Sequence, residues 1–316
     1  LAAANERRCP LRLMASIAWR NLWRNPRRTW LSVAGIAFAV ALLVFAMGQQ
    51  TGNYAAMIDN ATGLLEGHIQ VQRRGYRDDP RVDERLGGVA ALVAAVRTID
   101  GVAAATARGA AFVLVSGQQR SYGAQLLGVD PAGERSVSKL PKMVHAGRYL
   151  DRGAEAFAGD LLARNLGAAV GDQLVILGTD VTGGVATLVV TLVGTFASGQ
   201  AELDRGVLEV PLSTMCDAFG LVDEAHAIVV RTSSPGRVPD IAAALSNVVT
   251  NDAAVLQWDE LIPGLEQGIE LDRAFGAVMY GLLAMMVTIS VCNAFVMTIF
   301  ERTREFGMLR AMGMRP

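Results

Sequence analysis

Two long stretches of the chain carry no charged side chain. They run from Thr29 to Ile58 and from Ala274 to Phe300, which makes thirty and twenty-seven residues. A helix needs about 20 apolar residues to cross the hydrocarbon core of a bilayer, so the pattern predicts two transmembrane helices. For the first stretch the alternative is a cleaved signal peptide. Its apolar core is longer than the usual roughly 7–15 residues of such peptides, and a second span follows it.

The segment between the two stretches mixes strand-like and helix-like patterns. "GHIQVQ" alternates apolar and polar residues, and five further runs are short, β-branched and bounded by glycine or polar residues: "AFVLVSG", "QLVILG", "ATLVVTLVGTF", "GVLEV" and "HAIVVR". Helices are predicted in "DERLGGVAALVAAVRTI", "GDLLARNLG" and "VPDIAAALSNVV". Residues 129–153 carry most of the loop-forming residues, and we place a subdomain junction near them. The prediction is a large α+β domain between the two spans.

Charge predicts the orientation of the chain. Seven arginines and one acidic residue precede the first span, and four arginines and two acidic residues follow the second. Because an excess of arginine near a span marks its cytoplasmic side, both ends are predicted to be cytoplasmic and residues 59–273 to lie outside. This outer segment has 27 acidic and 18 basic residues, a net charge of −9, against +6 before it and +2 after it. Its acidity argues against nucleic acid as a partner.

These patterns divide the chain into five parts. Residues 1–28 are predicted to be a cytoplasmic N-terminus with an interfacial helix, and residues 29–58 are predicted to form the first transmembrane helix and its stalk. Residues 59–260 are the predicted extracytoplasmic domain. Residues 261–300 are predicted to form the second stalk and transmembrane helix, and residues 301–316 a cytoplasmic segment. Neither span contains an ionisable side chain, which argues against ion coupling within them.

The stretch "ASIAWRNLWRNPRR" predicts an amphipathic helix that lies in the headgroup layer. Alanine, leucine and tryptophan recur on one face at helical spacing, and arginines form a separate stripe. The predicted membrane-interface anchors are Trp19, Arg20, Trp23, Arg24, Arg27 and Arg28. Pro26 is expected to end this helix or turn the chain, and Met14 is expected to be the true start. The alternative is a charged flank that only sets the orientation.

No enzyme constellation is present in the sequence. A phosphate-binding Gly-x-x-x-x-Gly-Lys-Ser/Thr loop is excluded because Lys139 follows a serine and Lys142 precedes a methionine. ATP-driven work would therefore need another chain. The histidines and cysteines are isolated in sequence: His68, His145, His226, Cys9, Cys216 and Cys292. We expect no catalytic, cofactor or metal site, and we interpret the ratio of 27 arginines to 2 lysines as compositional bias.

The last sixteen residues, "ERTREFGMLRAMGMRP", predict a short cytoplasmic helix with an apolar stripe. Phe306, Leu309 and Met312 follow one another at three-residue spacing, while Glu301 and Glu305 are one helical turn apart. An apolar stripe among charges favours docking to a cytoplasmic partner. The alternative is a flank that only stops membrane transfer, which needs the arginines alone.

These features together resemble permeases of the LolC/LolE, MacB and FtsX type, the mechanotransmission (type VII) ABC transporters. The resemblance covers nearly the whole chain from Met14, and its most specific part is the terminal motif. It also rests on "AWRNLWRNPRRT" before the first span and, in order, on "GHIQVQRRGY", "LLGVDPAGE", "AGRYL", "LARNLGAAVGD", "VGTF" and "WDELIP" in the outer domain.

The resemblance implies an outer domain of porter/sabre type and a coupling helix that sits on an ATPase. The ATPase-coupling residues it implies are Glu301, Arg302, Arg304, Glu305, Phe306, Gly307, Leu309, Arg310, Met312 and Gly313. The implied partners are a dimer of P-loop ATPase subunits, a second permease subunit (identical or paralogous), membrane lipids, and a lipoprotein or other amphiphilic substrate. ATP and Mg²⁺ belong to the ATPase, so this chain is expected to bind no cofactor.

Within this family, the lipoprotein-releasing permeases fit best. A start at Met14 leaves no room for an N-terminal ATPase of the MacB type, and the outer domain is larger than in FtsX-type proteins. The implied activity is the extraction of lipoproteins or other amphiphiles from the bacterial inner membrane. The family pattern also implies two more spans, so we expect the natural protein to continue past Pro316. The alternatives are a MacB-like exporter of small amphiphiles and a two-span receptor whose gene ends near Pro316.

Overall fold

The structure, a computed structural model, describes Trp19, residues 26–250 and residues 252–313. These residues divide into two compact units, and each is described by itself below. The first unit contains the described residues up to Asn53 and those from Gly268 onward, and the second is Tyr54–Gln267.

The first unit contains most of two long helices. Helix α1 spans Pro26–Thr62 and helix α9 spans Pro263–Glu301. Their apolar parts, Val33–Thr62 and Pro263–Met297, are 30 and 35 residues long, more than the roughly 20 that a bilayer requires. The two helices that the sequence predicts are therefore present, and by length and composition both are able to cross a membrane. Membrane crossing and orientation remain predictions.

A polar contact joins α1 and α9 within the first unit. The Nε2 of Gln50 donates a hydrogen bond to Oδ2 of Asp272 at 3.0 Å, and the hydroxyl of Tyr280 donates to Oε1 of Gln50 at 2.7 Å. Gly276 lies beside this contact, since a Cβ added there would be 2.9 Å from Nε2 of Gln50. Gln50 thus packs against the backbone of α9 and links the two helices through polar contacts.

The second unit is built on a ten-stranded sheet. Its strands are β1 (Ile69–Arg73), β3 (Val102–Ser116), β4 (Ser121–Val129), β5 (Val144–Gly147), β6 (Glu155–Gly159), β7 (Gln173–Thr179), β8 (Val185–Phe196), β9 (Val207–Pro211), β11 (Ala227–Thr232) and β12 (Ala253–Gln257). The order is β12-β1-β11-β3-β4-β9-β6-β8-β5, with β7 pairing with both β3 and β8. A separate ribbon pairs β2 (Leu86–Gly87) with β10 (Glu224–Ala225).

Short helices connect and cover these strands. They are α2 (Val89–Arg97), α3 (Pro131–Val137), α4 (Asp160–Leu166), α5 (Ala201–Gly206), α6 (Leu212–Phe219), α7 (Val238–Ser246) and α8 (Trp258–Leu261), with 3₁₀ turns at Leu140–Lys142 and Pro235–Arg237. A final helix, α10 (Thr303–Ala311), belongs to the first unit. The mixture of helices and sheet confirms the predicted α+β class of the domain.

Strand β3 is shared by two parts of the sheet. Its first half pairs with β11, its second half pairs with β4, and its end also pairs with β7. One hydrophobic cluster packs β1, β11 and β12 against α2 and α7, and another packs β3, β4, β7 and β8 against α4 and α6. A third cluster includes Leu64, Leu140, Leu150, Phe157 and Phe196, so it joins the turn after α1 to the middle of the sheet.

One local prediction was wrong in part. The helix expected over residues 83–99 begins only at Val89, because Leu86 and Gly87 pair with β10 and Gly88 has a left-handed backbone with φ of 64°. The subdomain junction expected near residues 129–153 stays a prediction; this segment supplies Leu140, Tyr149 and Leu150 to the third cluster.

Candidate functional site at the root of the first helix

The turn after α1, residues 63–65, is bound to the domain through its backbone carbonyls. Here the backbone N–H of Lys139 donates to the carbonyl of Gly63 at 2.7 Å, and the hydroxyl of Ser138 donates to that of Leu64 at 2.6 Å. The side chain of Arg108 donates to the carbonyl of Leu65. Residues in β3 and in the loop after α3 therefore hold the turn that follows α1.

A charged cluster holds the last turn of α1. Oδ2 of Asp59 lies 2.8 Å from Nζ of Lys139, and Oδ1 lies 2.7 Å from Nη2 of Arg231. Nζ of Lys139 also donates to the carbonyl of Asp59 at 3.0 Å. Two cations at the negative end of a helix dipole are favourable, and all three side chains are half-buried. We call this group the helix-root joint; its members are Asp59, Gly63, Arg108, Ser138, Lys139 and Arg231.

Gly63 is required by the close approach of Lys139. A Cβ added at Gly63 would lie 2.5 Å from the carbonyl oxygen of Asp59 and 2.8 Å from Cε of Lys139. Any side chain there would displace the lysine or the turn. The sequence therefore places glycine where α1 ends and the lysine crosses it.

A neutral histidine lies beside the joint. Nδ1 of His68 lies 2.8 Å from the hydroxyl oxygen of Thr232 and 3.1 Å from its backbone nitrogen, and Nε2 lies 3.9 Å from Oδ1 of Asp59. Burial lowers the pKa of His68 below its ordinary value, and the nearby Arg231 lowers it further. The imidazole is therefore neutral at pH 7 and adds no charge to the joint.

Behind the joint, Arg108 enters a buried network with two carboxylates. Its Nη2 lies 2.5 Å from Oε1 of Glu134, and the hydroxyl of Tyr149 donates to Oε2 of Glu209 at 3.0 Å. Both carboxylates are completely buried. Burial, reinforced by repulsion from Glu134, raises the pKa of Glu209 to about 8. Glu209 is therefore protonated at neutral pH, and the charge of Arg108 is balanced by Glu134.

The contacts of the helix-root joint involve charged and polar side chains and backbone groups. Among the described residues there is no group of three or more histidine, cysteine, aspartate or glutamate side chains that could hold a metal ion. The joint is a set of ion pairs and hydrogen bonds that fixes the end of α1 to α3, β3 and β11.

The predicted ATPase-coupling residues lie in and around a separate short helix. Helix α9 ends at Glu301, and Arg302 separates it from α10, which spans Thr303–Ala311. Gly313 follows with a left-handed backbone, at a φ of 88°. Arg304, Gly307, Arg310 and Met312 are exposed. The side chains of Glu301, Glu305, Phe306 and Leu309 are outside the described part, so the apolar stripe and the role in coupling remain predictions.

Most of the predicted membrane-interface anchors are outside the described residues. This applies to Arg20, Trp23 and Arg24 and to the side chain of Arg28. Trp19 is helical with 65% of its surface exposed, and Arg27 is exposed in the first turns of α1. Pro26 lies at the start of the described part of α1. The interfacial role remains a prediction.

Sequence reasoning missed the helix-root joint, although one signal was present. Lys139 is one of only two lysines in the chain, and we interpreted that scarcity as composition alone. The ammonium of Lys139 makes contacts with Asp59 and Asn60 at 2.8–3.0 Å, and a compact ammonium group reaches these closely spaced oxygens from one position.

Comparison with known proteins identifies a family. The family model described as MacB-like periplasmic core domain matches residues 29–248, which is more than half of the chain. None of the curated protein sequences compared with this chain matches it significantly.

Remote similarity to solved structures is also found. The extracellular domain of the ABC-type transporter YknZ from Gram-positive bacteria has 15% identity and a TM-score of 0.44, covering 60% of this chain and 100% of that one. The periplasmic region of MacB from Actinobacillus actinomycetemcomitans has 12% identity and a TM-score of 0.47, covering 67% and 98%. A permease domain from Porphyromonas gingivalis has 16% identity and a TM-score of 0.35, covering 60% and 85%.

Proposed function

The chain belongs to the MacB-like periplasmic core domain family, and from this premise we propose that it is a permease subunit of an ABC transporter that works by moving an extracytoplasmic domain. The family supports the role of transporter permease. The finer proposal is that the chain lies in the bacterial inner membrane with both its described ends in the cytoplasm and with residues 59–273 outside.

The observation that carries the mechanical part of the proposal is the helix-root joint. Helix α1 is continuous from Pro26 to Thr62, and its last turn is held by Lys139 and Arg231 through Asp59. Lys139 follows α3, and Arg231 is in β11. A displacement of the end of α1 is therefore passed to the sheet at two points instead of being absorbed by a flexible linker.

ATP is proposed to act through a separate subunit. The chain has no phosphate-binding loop, so we propose that it is not an enzyme, that a dimer of P-loop ATPase subunits binds ATP and Mg²⁺, and that this chain binds no cofactor. Helix α10 supports the docking of such a subunit, because it is separated from α9 at Arg302 and exposes Arg304, Met308 and Arg310.

Lipids and a second permease subunit are proposed to cover α1 and α9. Large apolar side chains along both helices are exposed, among them Phe38, Phe45, Phe275 and Met286 at 67–71%. A contiguous exposed apolar surface that extends along whole helices marks a membrane or protein interaction site. The proposed cargo is a lipoprotein or another amphiphile taken from the outer leaflet; a MacB-like export of small amphiphiles is the alternative.

A release assay tests the proposed function. The natural full-length permease is reconstituted in proteoliposomes with its ATPase, and release of a lipidated protein is compared with release of the same protein without its lipid and with export of a small amphiphile. ATP-dependent release of the lipidated protein supports the proposal. Export of the small amphiphile alone supports the alternative, and no ATP-dependent movement of either overturns the permease assignment.

Docking of the ATPase is tested separately. Changing Glu301, Arg304 and Glu305 together to alanine is expected to abolish co-purification of the ATPase, because these residues begin the predicted coupling segment. Arg120→Ala is the control, since Arg120 is exposed in the extracytoplasmic domain. Undiminished co-purification of the triple variant would contradict docking at α10.

A further inference from the structure

One edge of strand β3 has a gap in its strand pairing. Strand β11 pairs with β3 as far as Arg108, and β7 pairs with it only from Leu114 onward. Because β4 occupies the opposite edge over residues 108–116, β11 and β7 share one edge. In the described part of the chain, no strand pairs with this edge over residues 109–113. A buried backbone N–H in such a gap needs another acceptor.

His226 supplies that acceptor with one ring nitrogen and uses the other to hold a loop. The backbone N–H of Ala110 donates to Nδ1 of His226 at 3.0 Å. Because Nδ1 accepts, the ring proton is on Nε2, which donates to the carbonyl of Val82 at 3.0 Å. His226 is completely buried. Only the neutral imidazole in this tautomer satisfies both partners.

The loop that His226 holds is residues 74–85, between β1 and β2, which we call the strap. Inside the strap, the ring of Tyr76 lies 5.5 Å from the ring of His226, and Val82 packs against the hydrophobic cluster of β3, β4, β7 and β8. Nη2 of Arg77 donates to the carbonyl of Leu261 at 3.0 Å, two residues before α9 begins at Pro263. The strap therefore connects the gap in β3 to the start of α9.

Protonation of His226 is incompatible with these contacts. A proton on Nδ1 would face the N–H of Ala110, so two donors would oppose each other. Burial lowers the pKa of His226 below its ordinary value of 6.5, against the opposing effect of the hydrogen bond to Val82. The charged groups that face the ring are Arg85 of the strap, which lowers the pKa, and Glu224 of β10, which raises it; they lie 2.6 Å apart.

The direction of the pH effect follows from this difference. A histidine released into water takes up a proton below its ordinary pKa of 6.5, whereas the buried ring does not. The closed arrangement is therefore fully favoured above pH 6.5 and is lost progressively as the pH falls below it.

We propose that His226 is an acid-sensitive latch that holds the strap against β3 at neutral pH and releases it on protonation. Release separates Val82 from the edge of the sheet and removes Arg77 from the carbonyl of Leu261, so that the start of α9 loses one of its ties to the domain. The latch requires neither ATP nor a partner subunit, so it stands or falls independently of transport.

Hydrogen exchange of the full chain in lipid nanodiscs tests the proposal without any substitution. After correction for the intrinsic effect of pH on exchange, opening of residues 74–85 is expected to increase about tenfold between about pH 7.5 and about pH 5.5, because protonation of the released histidine favours opening about tenfold per pH unit below 6.5. Strand β8 should keep its protection. Unchanged exchange in the strap, or an equal increase in β8, would overturn the latch.

Variants assign the acid response to one histidine. His226→Gln is expected to abolish the response, because a neutral amide can accept from Ala110 and donate to Val82 at every pH. His226→Ala should leave the strap open at both pH values. The control is His145→Gln, since the side chain of His145 is half-exposed, and it should respond as wild type does. An undiminished acid response in a folded His226→Gln protein would refute the assignment.

Discussion

At the residue scale, the protonation of Glu209 is decided by its neighbours. It is completely buried with Glu134 nearby, and its Oε2 accepts from the hydroxyl of Tyr149. Arg108 is the one cation of this network and pairs directly with Glu134. A second charged carboxylate would have no cation of its own, so burial and the neighbouring Glu134 raise the pKa of Glu209.

This makes stability depend on pH in a defined direction. The ordinary pKa of a glutamate is 4.5, and in the folded protein the pKa of Glu209 is raised to about 8. Between these values the folded protein holds a proton that the unfolded chain has released, so the free energy of unfolding falls as pH rises from 4.5 to about 8. Each unit of the raised pKa corresponds to about 1.4 kcal/mol.

Glu209→Gln is expected to remove this dependence. The amide is neutral at every pH, has nearly the same shape, and still accepts a hydrogen bond from Tyr149. Melting temperatures measured from pH 5 to 8 should fall less for the variant than for the wild type, and the exposed Glu202→Gln should behave as wild type. Parallel curves for wild type and Glu209→Gln would show that Glu209 is already ionised.

At the element scale, α1 ends where the fold requires it to end. The turn after Thr62 places its carbonyls in front of Ser138, Lys139 and Arg108, and Leu64 enters the third hydrophobic cluster. The end of the helix is therefore specified by residues more than forty positions away in sequence, not by a local stop signal alone.

Gly63→Ala is expected to destabilise this end of the helix. The added methyl group would lie 2.8 Å from Cε of Lys139, and overpacking of this kind costs about 1–3 kcal/mol. Thermal unfolding should show a lower midpoint for the variant. Gly123→Ala is the matched control, because a Cβ there has nothing within 4 Å. Equal midpoints for the two variants would mean that the turn has room for a side chain.

The contact of Gln50 with α9 supports a second prediction at this scale. Tyr280 donates to Gln50 between two apolar helices, and such bonds contribute on the order of 0.6 kcal/mol in membranes. Gln50→Leu and Tyr280→Phe, alone and together, form a double-mutant cycle in unfolding experiments. The two changes are expected to be non-additive by about this amount. Strict additivity would show that the two side chains do not interact.

At the scale of the whole molecule, the sequence predicts the parts of the chain better than the connections between them. Two long helices follow directly from uncharged runs, and strands such as β1, β8 and β11 follow from alternation or β-branching. Strands β4 and β6 are not predicted from the sequence, because "SYGAQLLGV" and "EAFAG" are rich in glycine and alanine. Their place in the sheet depends on pairing with β9, which no local pattern encodes.

The candidate site was beyond sequence reasoning for the same physical cause. Lys139 is 80 positions and Arg231 is 172 positions from Asp59 along the chain. Only the folded sheet brings the three side chains together. By contrast, the short helix after α9 was predictable, because its residues are contiguous and its periodicity is local.

We propose that the helix-root joint couples ATP hydrolysis by the partner ATPase to movement of the extracytoplasmic domain. It is tested by the amount of lipidated protein released per ATP hydrolysed, measured in proteoliposomes with Lys139→Met in the full-length permease. Lys142→Met is the control, since Lys142 is exposed three residues away. Lys139→Met is expected to keep ATP hydrolysis but to release several-fold less protein per ATP, while Lys142→Met is expected to behave as wild type. An unchanged ratio for a folded Lys139→Met protein would contradict it.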